Sequence, residues 1–324
     1  MKSDARKGFV RFPFASRAKT RNLTNVFQHL PSLSLALLML LLVSTHHTSA
    51  ADTTNTSWTV PIEISRNRVM VPLTINADTN RCSFLLDSGY GISMIHPSLV
   101  ESLALKRIGN IDIIGIAGRE AAGTYDGALL KLGDATYAPR RLASLPSDAR
   151  RRRREDGILG SGFFRRYVVE IDSQAKVMRL HEPKSYLYSG KGEILKLEFP
   201  KDTPVIEADI VGPQGKPIRA RLEIDTGCDG PMCLGSHFVT AHDLLGDTEK
   251  TKDGTRSGVG GGAKVRYGNV AQIKFGQLTL DNPKTSFFLE GSPTDETQAG
   301  HIGMPALLKF KAIFDYSRNR LILE

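Results

Sequence analysis

Cys82-Ser83-Phe84-Leu85-Leu86-Asp87-Ser88-Gly89 decides how this chain is read, because its pattern returns as Ala220-Arg221-Leu222-Glu223-Ile224-Asp225-Thr226-Gly227. Each stretch is a strand-like, largely apolar run ending on an aspartate, a small hydroxyl residue and a glycine. The two aspartates lie 138 residues apart. Working outward, Tyr125 and Leu130-Lys131-Leu132-Gly133 in the first copy answer to Tyr267 and Ile273-Lys274-Phe275-Gly276 in the second. Gly157-Ile158-Leu159-Gly160 answers to Gly300-His301-Ile302-Gly303. Each copy then closes on hairpin text, Val168–Asp172 with Val177–Leu180 and Ala312–Asp315 with Arg320–Leu323. Landmarks that keep their order at a near-constant offset mark a tandem duplication.

Runs of four to eight residues rich in Val, Ile and Leu, punctuated by Gly, Asp and Asn, predict short strands throughout. Asp172 to Ala175 and Asp315 to Asn319 read as hairpin turns. Short helices are expected at Pro97 to Leu103 and Ser236 to Leu245. The fold class is therefore all-β, with two lobes built from the two copies. The expected organisation is an N-terminal segment 1–50, a linker 51–58, a first lobe 59–186 and a second lobe 187–324. Pro183 to Gly192 is the natural junction between copies.

Composition narrows the function. The chain has 324 residues, 40% of them hydrophobic and 24% charged, enough apolar content to build a globular core. Its net charge of +9 is concentrated at the start, where Lys2, Arg6, Lys7, Arg11, Arg17, Lys19 and Arg21 face only Asp4. The apolar run Leu33 to Val43 and the small residues Thr48-Ser49-Ala50-Ala51 follow, in the order of an export signal peptide cut after Ala50 or Ala51. A run of eleven residues is short for a bilayer span, so no stable membrane span is expected once the signal is removed. The competing reading is a tether through an uncleaved N-terminal segment. Without residues 1–50 the charge falls to +3, which removes the electrostatic case for a nucleic-acid partner.

Dinucleotide, P-loop and zincin motifs are missing from the sequence. Three cysteines are too few for a disulfide scaffold and form no paired zinc hooks. His96, His237, His242 and His301 show no metal-like spacing. No metal or cofactor is expected.

The two Asp-Ser/Thr-Gly turns carry the chemistry. Glycine permits a tight turn beside the carboxylate, and the hydroxyl of Ser88 or Thr226 can bond across to the opposing turn. A pseudo-twofold axis between the copies would bring Asp87 and Asp225 together. Two carboxylates a few ångström apart cannot both ionise, so they hold one proton between them. Such a pair can draw a proton from water while its protonated member polarises a carbonyl.

In these features the chain resembles the aspartic peptidases, in a retropepsin-like bacterial type with both halves fused into one pepsin-like chain. The matching text is Leu85-Leu86-Asp87-Ser88-Gly89, Asp156–Phe164, Asp225-Thr226-Gly227, Ile302-Gly303-Met304 and Leu308–Asp315. The resemblance runs from Thr59 to Glu324. It implies an endopeptidase of bilobal pepsin/retropepsin-like acid protease fold, with two pseudo-twofold-related β-barrel-like lobes, and the export signal makes the expected enzyme periplasmic or secreted. Asp87 and Asp225 would be catalytic, and Ser88, Gly89, Thr226 and Gly227 would support their turns. Leu159-Gly160 and Ile302-Gly303 would brace those turns from behind. The substrate would be a protein or peptide, and the active unit a monomer acting as an intramolecular pseudo-dimer. The alternative is an inactive peptide-binding protein that retains the fold.

Ile116 to Gly127 and Ser257 to Gly262 lie where the family carries flaps, which makes Tyr125 and Tyr267 candidate flap residues. Cys228 and Cys233 are close enough in sequence for a small disulfide, with Cys82 left over. Arg150 to Arg154 reads as a solvated basic loop, a binding patch or a processing site.

Overall fold

A computed structural model describes residues 56–116, 118–145, 155–246, 250–294 and 296–324. The N-terminal signal reading and the Arg150–Arg154 run lie outside the described residues. Among those described, no helix is long and apolar enough to cross a membrane.

The chain is mostly strand and folds into two curled half-barrel sheets, the expected all-β bilobal architecture. In the first copy the strand order is Lys106–Gly115, Gly118–Asp126, Leu142–Ser144, Met94–Ile95, Gly157–Leu159, Cys82–Leu86, Arg68–Ile75, Leu130–Leu132 and Ala135–Tyr137. In the second it is Lys252–Gly258, Gly261–Asn269, Lys284–Phe288, Met232–Leu234, Gly300–Gly303, Pro217–Asp225, Val205–Val211, Gln272–Phe275 and Leu278–Asp281. The two orders match strand for strand. The short strand Glu63–Ser65 is an addition to the first sheet, paired with Arg68–Ile75.

Each aspartate-bearing strand lies in the interior of its sheet and is apolar for that reason. Phe84 and Leu86 point into the main core, as do Leu222 and Ile224, while the intervening residues face the other side. Each is flanked by one antiparallel and one parallel neighbour. Cys82–Leu86 pairs in parallel with Gly157–Leu159, and Pro217–Asp225 with Gly300–Gly303. The parallel contacts explain why the apolar-Gly landmarks sit so far downstream of the aspartates, since a parallel partner requires a long crossover.

The closing hairpins of the two copies do not stay in their own lobes. They join in a six-stranded sheet ordered Ser57–Pro61, Val177–His181, Val168–Asp172, Ala312–Asp315, Arg320–Leu323 and Glu193–Lys196. Its central seam pairs Val169 with Phe314 and Ile171 with Ala312, one strand from each copy. Asp172 accepts from the Ala175 amide at 2.9 Å to close the first hairpin turn. Asn319, at φ 50°, supplies the left-handed residue of the second. Both faces of this sheet are covered, by Val168, Ile313 and Ile322 beside Tyr186 on one side and by the main core on the other. The expected helices form at Pro97–Ser102 and Ser236–Ala241, and further helices at Ser161–Arg166 and Met304–Leu307.

Candidate functional site

Asp87 follows Cys82–Leu86 and Asp225 ends Pro217–Asp225, and the two-lobed arrangement turns these strand ends toward each other. The Asp87 amide donates to the Leu159 carbonyl at 3.0 Å, and Asp225 lies in register with Gly303. Behind the turns, the Gly160 amide donates to Ser93 Oγ at 3.0 Å and the Gly303 amide to the Pro231 carbonyl at 2.9 Å.

The hydroxyls of the two turns are exchanged between copies. The Ser88 amide donates to Thr226 Oγ1 at 2.9 Å, and the Thr226 amide to Ser88 Oγ at 3.1 Å. Ser88 Oγ then donates to the Ile224 carbonyl at 2.5 Å, and Thr226 Oγ1 to the Leu86 carbonyl at 2.8 Å. Both side chains are fully buried. Together these hydrogen bonds lock the turns into a symmetric clasp.

The triplet glycines are pressed against the opposite aspartate. A Cβ at Gly89 would stand 2.9 Å from Asp225 Cγ, and one at Gly227 would collide with the Asp87 carboxylate. Only a residue without a side chain lets the carboxyls approach this closely. Both carboxyls line one cavity, and each is among the groups that shift the other's titration. Burial, then the charge of Asp225, holds the Asp87 carboxyl well above the usual carboxylate range. Burial also raises Asp225, but His301 opposes the rise, with Nδ1 at 3.7 Å from Asp225 Oδ2. The pair therefore holds a proton more readily than an isolated aspartate does, and His301 favours the ionised form of Asp225.

A third acid belongs to this centre and stands outside the sequence motifs. Glu223, two residues before Asp225, is 9% exposed and comes within 2.8 Å of where a Gly89 Cβ would lie. Burial, then Asp225, pushes its carboxyl up to about 8. The alternation of a strand held the signal, since Glu223 must share a face with Asp225. Because its folded value lies above its ordinary one, Glu223 stabilises the fold fully only below the unfolded value. That contribution is lost as pH rises toward about 8. Glu223→Gln should therefore show a smaller fall in urea midpoint between pH 5 and pH 8 than the parent chain. Equal falls in the two proteins would remove Glu223 as the cause.

Two long hairpins roof the centre, Lys106–Gly115 with Gly118–Asp126 and Lys252–Gly258 with Gly261–Asn269. Their tips touch. The Gly260 amide donates to Glu120 Oε1 at 2.9 Å, and a Cβ at Gly115 would collide with Val259. A cavity of about 250 Å³ beneath them is lined by Asp87, Asp225, Glu223, Ile116, Val259 and His301 among others. It adjoins a larger one of about 670 Å³, lined by Tyr90, Ile92, Ile111, Ile113 and Glu223 among others. The two tyrosines singled out in the sequence stand away from this centre. Tyr125 pairs with Leu142 and Arg107 toward the base of its hairpin, and the Tyr267 hydroxyl donates to the Thr255 carbonyl at 2.9 Å. Neither lines the cavity above the aspartates.

Cys228 and Cys233 are free thiols with their sulfurs 4.0 Å apart, and Cys82 is buried in its strand. The small disulfide open to the first two is not formed.

Residues 71–163 match the family model described as aspartyl protease. The aspartic proteinase from Irpex lacteus is similar in structure, with a TM-score of 0.55 at 13% identity. The match covers 83% of this chain and 97% of that one. The fold is that of a pepsin-like aspartic proteinase. No curated protein matches the chain. The resemblance to aspartic peptidases of pepsin and retropepsin type thus rests on the first copy's sequence and on the fold of both copies, and it supports protease activity in general.

Proposed function

We propose that this chain is an exported aspartic endopeptidase in which Asp87 and Asp225 activate a water between them. The observation that carries the reading is the close approach of two carboxyls, Asp87 buried and Asp225 half-buried, on turns clasped together by Ser88 and Thr226. Asp225, ionised beside His301, takes a proton from water as the oxygen attacks the peptide carbonyl. Asp87 gives its proton to the carbonyl oxygen, which yields a neutral gem-diol. Collapse returns a proton from that diol to Asp87, while Asp225 delivers its proton to the leaving nitrogen. No covalent intermediate is formed. Because both aspartates come from one chain, the active unit is a monomer.

Substrate would lie extended between the hairpins and the aspartates. Among the described residues Lys106–Gly115 and Lys252–Gly258 are the terminal strands of their sheets, so each presents an edge for backbone pairing with a peptide. Ile114, 73% exposed at one tip, offers an apolar grip. The tip contact makes closure measurable. Glu120→Ala removes the acceptor of the Gly260 amide and should raise KM about 10-fold with kcat nearly unchanged, near the lower end for a hydrogen bond to a charged group. An unchanged KM would show that the tips do not govern binding.

Cleavage of an unfolded protein such as casein, blocked by a transition-state analogue of peptide hydrolysis, tests the proposal. A homogeneous, correctly folded chain that binds peptides but cuts none would overturn it and leave a peptide-binding role.

A further inference from the structure

The duplication gives each residue near the aspartates a counterpart in the other copy, and one row breaks the likeness. In the first copy Ile158 pairs with Leu85 on one side and Met94 on the other, an apolar row across three strands. In the second copy the same ladder positions pair His301 with Glu223 and with Cys233. Tyr90, three residues after Asp87, answers to Cys228, three after Asp225. The first copy's row packs into a small apolar core of its own. Where that copy has Tyr90, Met94 and Ile158, the second has two thiols and an imidazole, and these three groups are buried.

We infer that Cys228, Cys233 and His301 form a zinc site. Their ligand atoms all lie within 4.8 Å of one another. The sulfurs, 4.0 Å apart, are near the separation of about 3.8 Å that tetrahedral zinc–thiolate bonds require. His301 presents its two nitrogens as such a site demands. Nδ1 lies 3.7 Å from the Asp225 carboxylate, while Nε2 is buried without a hydrogen-bond partner. A carboxylate on the Nδ1 side is the kind of outer partner that ligating imidazoles keep, and Nε2 is the nitrogen left for the metal. Arg256 Nη2, 3.1 Å from Cys228 Sγ and paired with Asp229, favours the thiolate form that zinc needs, although its positive charge opposes the cation. The fourth position faces the cavity above the aspartates, whose lining includes all three ligands, and suits water. On binding, zinc displaces the thiol protons to solvent and changes no oxidation state. A cysteine pair spaced by four residues with a histidine 68 positions further on resembles no compact sequence motif, so only the ladder brings the set together.

Zinc binding is read without substrate, so its failure and a failure of proteolysis are distinguishable. The full chain, reduced with a phosphine and freed of metal, is titrated with zinc chloride by calorimetry, and cobalt(II) is added in parallel as a coloured probe. One equivalent should bind, and cobalt should develop an intense thiolate-to-metal charge-transfer band. Cys233→Ala and His301→Ala should each weaken zinc by more than about 100-fold, beyond the loss typical of an outer partner. Cys82→Ala should bind as the parent does. No saturable zinc binding by the parent chain, or a cobalt spectrum without thiolate bands, would overturn the site even if a variant failed to fold. Undiminished binding in folded Cys233→Ala and His301→Ala would overturn it as well.

Discussion

Asp87→Asn and Asp225→Asn should each lower kcat on an unfolded protein substrate by about 10³-fold or more, within the range for loss of a positioned acid or base. The amide is nearly the size of the carboxyl, so the clasp made by Ser88 and Thr226 should survive and both variants should fold. The roles differ even though the losses are similar. Asparagine at position 225 cannot accept the water proton, whereas asparagine at 87 still offers an N–H to a carbonyl but has no proton to give. A double substitution should therefore cost little more than either single one, because the pair acts as a unit. The measurement is single-turnover cleavage at matched, saturating substrate, with folding checked by circular dichroism. Near-parental rates in both folded single variants would exclude the paired-aspartate mechanism.

Thr226→Ala should be the most destabilising of the small substitutions at the centre. Its hydroxyl accepts from the Ser88 amide and donates to the Leu86 carbonyl, and it is fully buried. Removing it strands a donor and an acceptor where water has little access, at about 1–3 kcal/mol for each group. The expected total of roughly 2–6 kcal/mol is a large part of a typical domain's stability. Thr226→Ser keeps the oxygen and should recover most of the loss, since Ser88 performs the matching role with that side chain. Urea denaturation measures both. A loss under about 1 kcal/mol in Thr226→Ala would mean that the clasp adjusts or admits water. Thr226→Ala should also lower activity, because the clasp sets the separation of the carboxyls.

These variants probe features that differ in how openly the sequence displays them. The all-β class followed from short branched runs and turn residues, and the two lobes followed from the repeated landmarks. The hydroxyl exchange was also legible, since a serine and a threonine at matching positions suggest a symmetric pair of bonds. The pooling of both closing hairpins in one sheet was not legible. Text that forms a hairpin says nothing of which strand lies on its outer edge, and the Val169–Phe314 seam joins residues far apart in the chain. The flap tyrosines show a related limit. Tyr125 and Tyr267 occupy matching places in the repeat, but the tips that meet above the aspartates are formed by Gly115 and Gly118 on one hairpin and Gly258–Gly261 on the other, and the tyrosines stand further down.

By itself the sequence determined the duplication, the strand-rich class and the identity of the paired aspartates as the groups to watch, because each is written in local pattern and its repetition. Tertiary structure alone decided which side chains surround that pair. Glu223, His301, Cys228 and Cys233 gather only when two crossovers bring distant strands into one ladder, and burial there shifts their protonation in ways that no local spacing encodes.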